Sequence, residues 1–94
     1  MLVIAQHTNI TDPAAFWAKA QTVVGAAPAG TSVLSVFPSQ DGKTGTCVWE
    51  AGSVDELQKF LDKESVGLAT NFCYEVNQEA SKGLPQKAME AFVN

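Results

Sequence analysis

Apolar residues recur along this chain with two spacings, every second residue and every third or fourth, in alternating stretches. Leu2 to Asn9 begins apolar and β-branched and ends polar, the pattern of a strand. Thr11-Asp12-Pro13 marks a helix start, with Asp12 placed to cap and Pro13 at the first helical position. Phe16, Ala20, Val23, Val24 and Ala27 follow at helical spacing as one stripe, and the glycine- and proline-rich run 25–30 ends it. A second strand is predicted over Thr31–Phe37. Pro38 to Lys43 then turns the chain, with Asp41-Gly42 able to take positive φ, and a return strand runs over Thr44–Ala51. Ser53-Val54-Asp55-Glu56 is a capping box that opens a second helix carrying Leu57, Phe60 and Leu61, which Gly67 interrupts. Asn71–Asn77 alternates as a fourth strand. Leu84-Pro85 opens a short amphipathic helix with Ala88, Met89, Phe92 and Val93 on one side.

The order predicts an α+β fold, a ferredoxin-like βαββαβ sandwich with a short C-terminal helix. It is one domain, residues 1–94, with a core over 1–77 and a tail over 78–94. Two helices cover one face of the sheet. Strand parity and bulk place Leu2, Ile4, Cys47, Trp49, Phe72, Tyr74 and Val76 beneath them. The opposite face then carries Val3, Ala5, His7 and Asn9, Thr46, Val48 and Glu50, and Asn71, Cys73, Glu75 and Asn77. The two cysteines thereby fall on opposite faces. The second strand is apolar on both sides, so its parity stays open. A bare face this apolar is a large patch for a monomer. Pairing two such faces about a two-fold axis predicts a homodimer, a dimeric α/β barrel with a cleft between the sheets. The tail helix is expected over the sheet edge or the dimer seam.

Composition narrows the partners. The chain is 46% apolar and 17% charged with a net charge of −4, too apolar for disorder. Its six cations are all lysines, scattered along the chain, and it has no arginine. No planar fork for phosphate and no basic stripe is possible, so nucleic acid, nucleotides and an anionic membrane are not expected as partners. Cys47 and Cys73 lack the spacing and company of a structural zinc site and read as buried thiols. The N-terminus turns polar at Gln6, unlike a signal peptide, and apolar runs are too short for a membrane span. A cytoplasmic protein is expected. No sequence pattern implies a cofactor.

The layout resembles the dimeric α/β-barrel superfamily, which includes stress-responsive barrels and antibiotic-biosynthesis-type monooxygenases. The stretch from Asp41-Gly42-Lys43-Thr44-Gly45-Thr46-Cys47-Val48-Trp49-Glu50 through Ala51-Gly52-Ser53-Val54-Asp55-Glu56-Leu57 is most similar to small uncharacterised branches of it. The resemblance spans about residues 1–77 and implies a cavity for a small, often aromatic ligand. In oxygenase branches a polar residue late in the first strand carries function, and His7 stands in the matching place. The Asn, Trp and His pattern of haem-degrading members is not reproduced: the first strand has His7, and the second helix has Phe60.

His7 is the lone histidine and the lone side chain that ordinarily titrates near neutrality. The candidate ligand-binding set is His7, Asn9, Thr46, Glu50, Cys73 and Glu75, on the face expected to be bare. The first functional reading is a homodimer that binds a small apolar or aromatic molecule between the sheets. A second makes His7 the base of a cofactor-free monooxygenase or isomerase. A third places a divalent cation on His7 with Glu50 or Glu75.

Overall fold

The computed structural model describes residues 1–85. Its elements are β1 (Leu2–Thr8), α1 (Pro13–Gly25), β2 (Ser32–Pro38), β3 (Gly45–Glu50), α2 (Val54–Glu64) and β4 (Thr70–Glu75). The helices begin where the capping chemistry puts them. Asp12 accepts from the Ala15 N–H, with Pro13 opening α1, and Ser53 accepts from the Glu56 N–H at the head of α2. Gly42 turns the β2–β3 connection at φ 74°, and Gly67 takes φ 77° just beyond α2. The expected tail helix over Ala88, Met89, Phe92 and Val93 lies outside the described residues.

The strands form one open antiparallel sheet in the order β2-β3-β1-β4. This is an α+β domain of four strands and two helices, and the order is compatible with a ferredoxin-like arrangement. No helix among the described residues is long and apolar enough to cross a membrane.

The register corrects the expected faces. Val3 pairs with Trp49 and Glu75, Ala5 with Cys47 and Cys73, and His7 with Gly45 and Asn71. Directly paired residues share a face, so His7, Cys47, Trp49, Asn71 and Cys73 all lie on one side. That side is the helix-covered core. Val3, Ala5, Cys47, Trp49 and Cys73 pack there with Val23 of α1 and Leu57 and Leu61 of α2. Bulk misdirects the assignment of β1 and β4. The space under the helices is filled by side chains of the helices and by Trp49 of β3, so β1 offers the small residues Val3 and Ala5, both fully buried. The bulky Phe72 and Tyr74 stay exposed on the open face.

In β2 the pairing slips between Val33 and Ser35, because Val33 faces Trp49 and Ser35 faces Val48. One extra residue is accommodated as a bulge. Val33 and Val36, of opposite parity, therefore both pack on the helix side, while Leu34 joins Leu2, Val48 and Val76 on the open side. A simple alternation has no place for that.

Candidate functional site

His7 sits late in β1 and is 4% exposed. Aromatic rings from the first turn of α1 surround it. Its ring centroid is 5.3 Å from that of Phe16 and 6.3 Å from that of Trp17, the latter edge-on. Trp17 is itself pinned by its Nε1–H, which donates to the Gly42 carbonyl at 2.8 Å. The Trp17 ring fits only because Gly45, the β3 residue opposite His7, has no side chain. A Cβ there would stand 2.6 Å from Trp17 Cζ2. A lone glycine inside a strand is a sequence signal of such close approach.

The polar contacts of His7 fix its tautomer. Nδ1 lies 2.7 Å from Asn71 Oδ1, and Nε2 lies 3.3 Å from Cys47 Sγ. Asn71 is oriented in turn, since its Nδ2 donates to Asp62 Oδ1 at 3.1 Å and to Ser65 Oγ at 2.7 Å. With the amide held that way, Oδ1 accepts from Nδ1–H, and Nε2 keeps its lone pair toward the Cys47 thiol. Gln58 closes the network from α2: its Nε2 donates to Asp62 and to the Asn71 carbonyl, and its Oε1 accepts from the Cys73 N–H.

Burial lowers the His7 pKa below its ordinary 6.5, and the Asn71 hydrogen bond offsets part of that. The imidazole is therefore neutral at pH 7. The unfolded chain takes up this proton below about pH 6.5 and the folded chain does not. Stability is thus kept above that pH and declines beneath it, by up to about 1.4 kcal/mol per pH unit until the folded pKa is reached. The lowered pKa of Asp41, held by Lys43 N–H and Ser39, acts only in the more acidic range below 3.8. Thermal unfolding between pH 8 and pH 5 should show the decline, and His7→Gln should flatten it.

Both thiols are buried and free. Burial, reinforced by the neighbouring Cys73, pushes Cys47 up to about 12, and burial with Asp62 pushes Cys73 up to about 11. They flank β1 on either side of Ala5. Two strand spacings put their Cα atoms about 9.5 Å apart, too far for a disulfide without moving the sheet.

Between α1 and the sheet lies a cavity of about 40 Å³. Its walls are almost wholly apolar, with Phe16, Val23 and Val36 among them, and His7, Cys47, Trp49 and Asn71 also line it. Trp49 is 3% exposed, and its indole Nε1 is buried without a hydrogen-bond partner. Such a donor is uncommon in a folded interior and calls for an acceptor.

The other sequence-derived candidates lie elsewhere. Asn9 ends β1 exposed, at φ 52°, with its amide on Thr70 Oγ1. Thr46 is on the open face beside Gln6 and Phe37. Glu50 pairs with the N-terminal amine at 3.4 Å, and Glu75 is exposed at the end of β4. Cys73 shares the helix-side core with His7 but does not line the cavity. Glu50 and Glu75 stand opposite Leu2 and Val3, four or five residues along β1 from His7. At about 3.4 Å per residue that is roughly 14–17 Å. A cation held by His7 with either glutamate of the same chain is thereby ruled out. Sequence reasoning passed over the contacts of Asn71, Phe16 and Trp17 with His7. The signal for Asn71 was present, since an antiparallel β1–β4 pair sets the end of one strand against the start of the other.

The chain belongs to the family described as a domain of unknown function (DUF8652), whose model matches residues 3–84. No curated protein matches the chain.

Proposed function

We propose that this domain binds a small, mostly apolar molecule with one polar group in the cavity beneath α1. The observation that carries the reading is an apolar cavity lined by the neutral His7 and by Trp49, whose indole N–H is buried without an acceptor. A ligand oxygen would satisfy that donor, and the apolar walls would exclude water around it. Against the ~10–15 Å³ needed by one water, the cavity has room for about three heavy atoms; an aromatic ring needs a void nearer ~150 Å³. The ligand is therefore smaller than the aromatic molecule implied by resemblance, and its site lies under the helix rather than between two sheets.

The test is an indole ¹H–¹⁵N titration with short alcohols, ketones and aldehydes, with Trp49 assigned through Trp49→Phe. A saturable shift of the Trp49 signal by at least one of them is expected. No shift from any of them at millimolar concentration would sink the reading. A second reading, proton abstraction by His7 without a cofactor, is favoured by the neutral imidazole with its tautomer fixed by Asn71. Its test is solvent deuterium exchange into small carbon acids, which His7→Gln should abolish.

We further propose a second copy of the chain as partner, on the open face of the sheet. Leu2, Leu34, Val48 and Val76 form a cluster on that face that the chain itself already buries, and the apolar side chains left exposed beside it are Phe37, Phe72 and Tyr74. Phe72 and Tyr74 lie beside one another on that face with ring centroids 5.9 Å apart, and Phe72 is 60% exposed. A two-fold axis lets such a patch cover itself and makes a ferredoxin-like dimeric barrel. Light scattering should give about 20 kDa, twice the 10.0 kDa chain. Phe72→Lys should return a monomer, and a wild-type monomer at micromolar concentration would remove the dimer from consideration. Two buried free thiols suit a reducing compartment, which supports a cytoplasmic setting.

A further inference from the structure

Three side chains at the cavity stand in series. Cys47 Sγ is 3.3 Å from His7 Nε2, and His7 Nδ1 is 2.7 Å from Asn71 Oδ1. Asn71 is clamped by Asp62 and Ser65, so it is a positioning residue that holds the imidazole with its basic nitrogen toward sulfur. A nucleophile, a base within reach of its proton, and a group that orients the base are the components of a thiol that reacts with carbonyl carbon. Cys73 has none of them. It makes no hydrogen bond to His7 and does not line the cavity, and its backbone N–H is taken by Gln58.

We propose that Cys47 adds reversibly to a short aliphatic aldehyde admitted to this cavity, with His7 accepting the thiol proton. The proposal deepens the small-molecule reading above and rests on it. Sulfur forms a bond to the carbonyl carbon as the C=O π pair moves onto oxygen. The thiol proton passes to His7 Nε2 and from there to that oxygen, leaving a neutral thiohemiacetal. Nothing is oxidised and no co-reactant is consumed.

The class of molecule follows from the walls. The volume admits about three heavy atoms, by the comparison with water made above. The charged residues that line the cavity, Lys19 and Glu64, are exposed and half-buried respectively. Neither is a buried counter-ion, so a neutral electrophile is favoured over an anion. Its oxygen is answered by the Nε2–H formed on transfer, and Trp49, whose N–H is buried without a partner, lines the same cavity. A thiol whose pKa stands near 12 supplies almost no free thiolate at neutral pH. Proton transfer must therefore accompany bond formation, which is the part His7 plays.

The experiment adds acetaldehyde labelled with ¹³C at the carbonyl to the full chain and reads the carbon spectrum. One protein-bound resonance at the position of a thiohemiacetal carbon is expected, lost in Cys47→Ser and retained in Cys73→Ser. Exchange between free and bound aldehyde should slow by roughly 10²–10⁴-fold in His7→Gln, the usual share of a general base. Absence of the resonance in the wild type, or its survival in Cys47→Ser, overturns the proposal whether or not the histidine variant folds. An unchanged exchange rate in folded His7→Gln overturns the role of His7. If acetaldehyde shifts the Trp49 indole signal without forming the adduct, the thiol chemistry falls and the binding reading stands. If acetaldehyde, ethanol and acetone all leave the indole unmoved, both fall.

Discussion

Gly45→Ala is expected to destabilise the fold by about 2–4 kcal/mol, from overpacking of ~1–3 kcal/mol and a lost hydrogen bond of ~1 kcal/mol. The new methyl meets the far edge of the Trp17 ring, within 2.6 Å of Cζ2. That ring has little freedom to yield. Its Nε1–H is bonded to the Gly42 carbonyl, its face meets Phe16 edge-on at 4.8 Å, and His7 lies on another side. Moving it breaks the bond to Gly42 and disturbs the packing over the imidazole. The partner substitution Trp17→Phe removes the part of the ring that clashes. The two changes together should therefore cost less than their sum, by about 1 kcal/mol or more, as expected for residues in direct contact. Urea denaturation of the four proteins of this cycle measures both quantities. A loss below about 0.5 kcal/mol in Gly45→Ala would show that the ring yields freely.

Asn71→Leu is expected to cost about 3–4 kcal/mol, although the two side chains have the same number of heavy atoms and the same branching. The substitution leaves the buried His7 Nδ1–H without an acceptor, a penalty of ~1–3 kcal/mol, and removes the hydrogen bonds to Asp62 and Ser65 as well. A small domain whose total stability is of the order of 5–15 kcal/mol would sit close to its unfolding threshold. Asn71→Asp retains an acceptor for Nδ1–H and should restore His7 to a charged state, because a buried carboxylate beside imidazole favours the imidazolium. Chemical denaturation reports the first effect. An NMR titration of the His7 ring reports the second, as a rise of its pKa relative to wild type. A pKa that stays depressed in Asn71→Asp would contradict the pairing of these two residues.

Much of the fold was legible in the chain because its signals are local. Asp12-Pro13 and Ser53 with Glu56 state where the helices begin, and Asp41-Gly42 states where the hairpin turns. Helix stripes and strand lengths supply the element order. Faces were less legible, since the side that a strand turns to the core depends on what the helices bring to fill it. Trp49 and the leucines of α2 occupy the space, so β1 gives Val3 and Ala5 to the core and leaves Ile4 half-buried on the open face. A single inserted residue in β2 then defeats parity counting altogether. His7 was identifiable as a candidate from its uniqueness, but its partner Asn71 lies 64 residues away. Only the β1–β4 register joins them, and with that register comes the cavity beneath α1.

The two helices are fastened unequally. α2 is tied to the sheet by polar bonds from Gln58 to Asn71 and Cys73 and from Asp62 to Asn71. α1 is moored at its first half, through Trp17 to Gly42 and, just before it, Thr11 to Leu68 and Gly67. Its second half meets the protein through apolar contacts of Val23 and Val24. Apolar contact resists separation but not sliding. The far end of α1 is therefore expected to give way first, turning about the moored end. Amide hydrogens from Thr22 to Gly25 should exchange with solvent through smaller openings than those at the centre of α2. On the binding reading proposed above, uptake of a ligand would have a ceiling set by how often that half-helix opens, independent of how much ligand is supplied.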